Sequence, residues 1–144
     1  MYYKPILIVS GEPNSIFFEI FFKTLKKNIF KSPLILIGSI KLLKLQMKEL
    51  NYNIKINQIN INSLKNSKFN NRLINVIDVE YNCNKAFNKI SNKSRDYIEN
   101  CFKIAFKIIN QGTTDKLISG PISKKKFLNK KYLGLTEYMA EKFN

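Results

Sequence analysis

Ser119-Gly120-Pro121-Ile122-Ser123-Lys124 is the stretch whose residue types come nearest to ligand chemistry. Glycine lets backbone approach a ligand closely, proline fixes a turn, and the lysine supplies a cation. Lys124, Lys125 and Lys126 would occupy the first turn of a following helix, where cations oppose the macrodipole. A bound phosphate or carboxylate would offset that cost; the alternative is a solvated charge run. Gly134-Leu135-Thr136-Glu137 opens a second helical stretch, in which Thr136 can cap the helix or hold a phosphate. Gly11-Glu12-Pro13 sits between an apolar run and a helix, where backbone amides can hold an anion. A plain strand-to-helix turn is the competing reading there. The tripeptide is neither the three-glycine dinucleotide fingerprint nor a P-loop.

Acid–base and metal chemistry find little to work with. The chain has no histidine, which excludes a histidine metal site or a Ser-His-Asp triad built from it alone. No catalytic residue and no metal ligand is therefore assigned. Glu12, Glu19 and Glu137 stand at element ends, but spacing alone does not pair them. Cys83 and Cys101 match no metal-ligand spacing. Cys101 falls on the apolar side of a helical stretch, so a buried free thiol is expected.

A formal net charge of +15 invites a nucleic-acid reading. The composition argues against it. Of 25 basic residues only Arg72 and Arg95 are arginine, the type that leads base and phosphate contacts. Lys, Asn and Ile fill 63 of 144 positions, a pattern of A/T-rich codons, and the lysines are spread through every predicted element. Attraction of small anions is the milder consequence. No apolar run approaches the roughly 20 residues of a membrane span. The apolar stretch before Ser10 is too short for a signal-peptide core. These readings point to a cytoplasmic protein without a membrane partner.

The elements that must position these residues follow from periodicity. Strands are expected at Pro5 to Ser10, Leu34 to Gly38, Leu73 to Val79 and Lys116 to Gly120. Asn53 to Ile61 alternates like a half-exposed edge strand. Helices are expected from about Ile16 to Asn28, with Ile16, Ile20, Phe21 and Leu25 inward, and from Ser39 to about Leu50. The clearest helix runs from Ser94 to Asn110, where Ile98, Cys101, Phe102, Ala105, Ile108 and Ile109 share a face. Gly112 ends it. Ser63 to Asn71 reads as a loop, Tyr81 to Lys93 as a mobile segment, and Ser123 and Thr136 as caps of two closing helices. Alternating strands and helices predict an α/β class, a mainly parallel sheet with flanking helices. At 144 residues there is room for one core. The last strand then delivers Ser119-Gly120-Pro121 to the carboxyl edge of the sheet, where such folds bind ligands.

Taken in order, these pieces resemble the 4-hydroxythreonine-4-phosphate dehydrogenases of vitamin B6 biosynthesis. That family opens with an apolar strand and Gly-Asp/Glu-Pro-Ala-Gly-Ile-Gly-Pro-Glu. The matching residues are Gly11-Glu12-Pro13-Asn14-Ser15-Ile16-Phe17-Phe18-Glu19. Its later block, Thr-Gly-Pro-x-x-Lys and then Gly-His-Thr-Glu-Tyr-Leu-Ala, is matched by residues 119–124 and 134–140. The resemblance implies that residues 1–144 form the N-terminal α/β portion of a truncated two-domain subunit, isocitrate/isopropylmalate dehydrogenase-like, whose second domain is absent. It implies NAD-dependent oxidation of the C3 hydroxyl of 4-phosphooxy-L-threonine, followed by decarboxylation, with a divalent metal held by three histidines.

Substrate binding carries over to Leu135 and Thr136, which occupy the place of the family's His-Thr pair, and to Lys124. Gly11, Glu12 and Gly120 are the candidate ligand-loop residues. Leucine at 135 cannot donate a hydrogen bond, so one polar substrate contact is lost. The family's metal histidines lie downstream of the stretch present here, so the isolated chain is expected to be inactive. A full-length form is expected to be a homodimer whose active site draws on both subunits and takes a small phosphorylated hydroxy amino acid. The alternative is a non-catalytic module that binds a phosphorylated metabolite or assembles with a partner.

Overall fold

The computed structural model describes residues 3–27, 29–129 and 131–143. Ile, Leu and Val dominate the inner strands, as expected when both faces of a parallel sheet are covered, with Asn75 the one buried polar residue among them. In chain order the elements are β1 (Ile6–Val9), α1 (Phe17–Lys27), β2 (Leu34–Gly38), α2 (Ile40–Glu49) and β3 (Ile56–Gln58). They continue with β4 (Ile74–Asp78), α3 (Arg95–Asn110), β5 (Leu117–Ser119) and α4 (Leu135–Phe143). The five strands form one all-parallel sheet in the order β3-β4-β2-β1-β5. The expected edge strand is therefore present at one margin, although only three residues of Asn53 to Ile61 pair.

Side chains alternate across the sheet with period two. Leu7, Val9, Ile35 and Ile37 point to the layer that holds α3 and α4. Ile8, Leu36, Ile74 and Val76 point to the layer of α1 and α2. On α3 the buried set is Tyr97, Ile98, Cys101, Phe102, Ala105 and Ile108, the face expected from the sequence with Tyr97 added and Ile109 only partly buried.

Two helical readings are corrected. In α1 the buried residues are Phe18, Phe21 and Phe22, while Ile16 and Ile20 are 63% and 54% exposed. Aromatic area decides the rotation: Phe18 stacks on Phe22 at 5.9 Å, and Phe22 meets Tyr52 at 5.1 Å. Burying those rings outweighs burying two isoleucines. Asn28, the expected end of that helix, lies outside the described residues. Thr136 does not cap α4, which already includes Leu135; the Tyr138 amide is bonded to the Gly134 carbonyl instead. Ser123 does cap its element, a single π-helical turn at Lys124–Leu128, by accepting from the Lys126 amide at 3.3 Å. The expected loop at Ser63 to Asn71 begins inside a 3₁₀ stretch, Ile61–Asn66.

Both cysteines are free and buried. Burial pushes the Cys101 thiol up to about 12 and also raises Cys83. At pH 8 such a Cys101 is thiolate in only roughly one molecule in ten thousand, against a sizeable fraction for a free cysteine. Native Cys101 should therefore react with Ellman's reagent about a thousandfold more slowly than in urea. Equal rates in the two states would show that the α3 layer opens readily.

Candidate functional site

The carboxyl edge of the sheet is built from three strand exits that interlock. β1 leaves through Ser10-Gly11-Glu12, β2 through Gly38-Ser39, and β5 through Gly120-Pro121. The Gly120 amide donates to the Val9 carbonyl at 2.7 Å, and the Glu12 amide donates to the Pro121 carbonyl at 2.7 Å. The two loops thus lie backbone to backbone. Side chains would not fit in this seam. A Cβ on Gly120 would overlap the Ser10 carbonyl oxygen and stand 2.8 Å from its carbon. One on Gly11, whose φ is +72°, would overlap the Pro121 oxygen. Glycine at these two positions is a packing requirement before it is anything else.

Beneath the seam lies Tyr97, 3% exposed. Its hydroxyl lies 2.8 Å from Ser10 Oγ and accepts from the Ser39 amide at 3.0 Å. One phenol therefore ties the exits of β1 and β2 to α3. Burial raises its pKa well above 10, so it stays a neutral hydroxyl. Glu12 is likewise sequestered, at 3% exposure. Its Oε2 accepts from Ser94 Oγ at 2.8 Å, and its Oε1 from the Asn14 amide at 3.3 Å. This carboxylate lies beside the N-terminus of α3, where the macrodipole favours negative charge.

The segment from Tyr81 to Lys93, expected to be mobile, has little regular structure but is tethered to this edge. Asn14 Oδ1 accepts from the Asn88 amide at 3.0 Å. Gln46 Nε2 donates to the carbonyls of Pro13 and Ala86 at 2.9 and 2.8 Å. Tyr81 packs on Tyr97 with centroids 4.9 Å apart. Between this segment and α3 is an open cleft of about 960 Å³, with Asn14 and Tyr97 in its wall.

Of the residues singled out in the sequence, the structure sets Gly11 against Gly120 and bonds Glu12 to the neighbouring Pro121. Lys124 is exposed on the π-helical turn just beyond Pro121. Leu135 is partly buried against the α3 layer, and Thr136 is exposed on the first turn of α4. An aromatic cluster fixes α4 to that turn: Tyr138 meets Phe127 at 4.9 Å and Tyr132 at 5.4 Å. Sequence reasoning gave Ser39 and Ser94 only as helix starts and passed over Ser10 and Tyr97. Their signals were present: two serines directly follow strands, and Tyr97 stands four residues before Cys101 on the inward face.

Residues 30–144 match the family model described as pyridoxal phosphate biosynthetic protein PdxA. The chain belongs to the PdxA family. Its fold is similar to that of a 4-hydroxythreonine-4-phosphate dehydrogenase from Burkholderia phymatum, with 22% identity and a TM-score of 0.82 over 98% of this chain. It is similar also to the 4-hydroxythreonine-4-phosphate dehydrogenase from Klebsiella pneumoniae, with 21% identity and a TM-score of 0.80 over 96% of this chain. In both cases the chain spans 44% of the solved one, consistent with an N-terminal portion of a PdxA protein. No curated protein gives a significant match. No helix among the described residues is long and apolar enough to cross a membrane.

Proposed function

We propose that this chain serves as the N-terminal α/β wall of a PdxA-type dehydrogenase that oxidises 4-phosphooxy-L-threonine with NAD. The observation that carries the reading is the PdxA family match over residues 30–144, which takes in the Gly120 and Lys124 loop and the start of α4. In this reading Lys124 attracts the substrate's phosphate, Leu135 and Thr136 flank the substrate, and the Gly11–Gly120 seam holds their strand exits in register. Glu12 supports the loop from behind, since its oxygens are bonded to Ser94 and Asn14. Isolated, the chain is not expected to turn over, and a homodimeric full-length assembly in the cytoplasm is the proposed working form.

The family's divalent metal does not fit the residues here. Among the described residues no group of three His, Cys, Asp or Glu side chains could hold one. No step is assigned through it. NAD and metal chemistry would have to be completed by polypeptide corresponding to the remaining length of the solved relatives.

The test is NADH formation from 4-phosphooxy-L-threonine with a divalent metal, using the 144-residue chain alone and joined to a PdxA C-terminal half. No rate alone and a measurable rate when joined are expected. Turnover by the isolated chain would overturn the assignment of chemistry elsewhere. In the joined protein Leu135→His should raise kcat/KM, and roughly tenfold is the scale of one restored substrate hydrogen bond. No gain would remove Leu135 from the substrate site.

A second reading, a non-catalytic assembly module, has one observation in its favour. Ile16, Ile20 and Ile118 are 63%, 54% and 52% exposed, and Ile118 lies on the sheet-edge strand β5. Sedimentation as a monomer at all concentrations would count against it.

A further inference from the structure

The amino edge of the sheet, opposite the loops described above, carries a basic hollow. Two cavities of about 420 and 630 Å³ share Leu25, Lys26, Asn71 and Arg72 in their walls. Lys27 and Lys55 bring the cations to four, and among the described residues no acidic side chain lines either cavity. None of these four has an ion-pair partner among the described residues. Lys26 and Lys27 are the last turn of α1, where cations also answer the helix macrodipole. Arg72 and Lys55 have no such explanation.

The turn that bears Arg72 is held in place by a network of asparagines. Asn71 accepts from the Leu34 amide at 3.0 Å and donates to the carbonyls of Phe30 and Ser32 at 2.9 and 2.8 Å. It thereby joins the turn after α1 to the turn before β4. Asn75, 2% exposed, accepts from the Asn70 amide at 3.2 Å and from Asn57 Nδ2 at 2.8 Å. Asn70 Oδ1 in turn accepts from the Arg72 amide at 2.9 Å. The turn bearing Arg72 is thus bonded on each side, so the backbone beneath the guanidinium is ordered before any ligand arrives. Preorganisation of this kind lowers the cost of binding.

We propose that this hollow binds a small organic polyphosphate, remote from the carboxyl edge. Arginine offers a bidentate fork to phosphate oxygens, and lysines add point charges around it. Each cavity's size lies in the range of small-ligand sites, and Leu25, Tyr52, Ile54 and Phe30 supply apolar wall for a non-phosphate part. The site is independent of the dehydrogenase reading, because none of Gly11, Gly120, Lys124 or Leu135 lines it.

The experiment is titration of the ¹⁵N-labelled 144-residue chain with ATP and with pyrophosphate, followed by amide shifts. Shifts centred on Lys55, Arg72 and Leu73 are expected. Arg72→Gln should raise the Kd roughly tenfold, and Lys55→Gln by a smaller factor, as charge-assisted contacts are lost. Lys142→Gln, exposed on α4 in the opposite layer, should leave it unchanged. Both altered side chains near the hollow are exposed, so the variants are expected to fold, and their urea midpoints check this. Shifts scattered over all lysine-bearing surfaces, or a Kd indifferent to Arg72→Gln, would overturn the proposal. So would tighter binding of oligo-uridine with a steep loss in salt, which would mark a nucleic-acid backbone site instead.

Discussion

Gly120→Ala is expected to destabilise the protein by at least about 3 kcal/mol, the upper range for overpacking in a rigid interior. The added methyl would meet the main-chain carbonyl of Ser10, with the Phe17 ring 3.0 Å away as the third neighbour. No side-chain rotation relieves a clash with main chain. Either β5 moves away from β1, breaking the Gly120-to-Val9 hydrogen bond, or the β1 exit shifts and takes Glu12 from Pro121. Urea unfolding of the variant measures the loss. A change below about 1 kcal/mol would mean that the seam is loose, and that its glycines serve a ligand more than packing.

Tyr97→Phe is the second large effect, about 2–4 kcal/mol, although it removes a single oxygen. The ring and its contact with Tyr81 survive, so cavity formation contributes little. What is lost is the acceptor for the Ser39 amide and the partner of Ser10 Oγ, both in a buried environment. An orphaned buried donor costs its desolvation, which exceeds the net value of the bond it made. A double-mutant cycle with Ser10→Ala separates the two bonds: the coupling between 10 and 97 should be about 1 kcal/mol, with the remainder belonging to the Ser39 amide. Additive effects would remove the Ser10–Tyr97 bond from the account. Because Ser10 and Ser39 mark two strand exits of the carboxyl edge, the same variant should also loosen the loops that carry Glu12.

Much of the fold was legible because its signals are local. β1 and β2 are uninterrupted apolar runs, and α3 repeats its apolar residues at helical spacing without ambiguity. Glycine at 112 and serine at 39 and 123 mark an end and two starts through backbone geometry that depends only on neighbours. The rotation of α1 was not legible, since isoleucine and phenylalanine score alike in a periodicity and only the stack of Phe18, Phe22 and Tyr52 separates them. Thr136 was misplaced as a cap because one residue of helix boundary cannot be read from a Gly-Leu-Thr-Glu string.

The site divides in the same way. The sequence by itself determined the family, matched over residues 30–144 with Gly120-Pro121 and Gly134 to Ala140 inside that span, and it placed Gly120 at a strand exit. Only the tertiary structure decided that Gly11 and Gly120 face each other, that Glu12 turns inward to Ser94, and that Tyr97 joins two strand exits. The physical reason is separation along the chain. Ser10 and Tyr97 stand 87 positions apart, and Glu12 and Ser94 stand 82 apart. Local propensity has no reach over such intervals; sheet order and the α3 crossover bring those residues together.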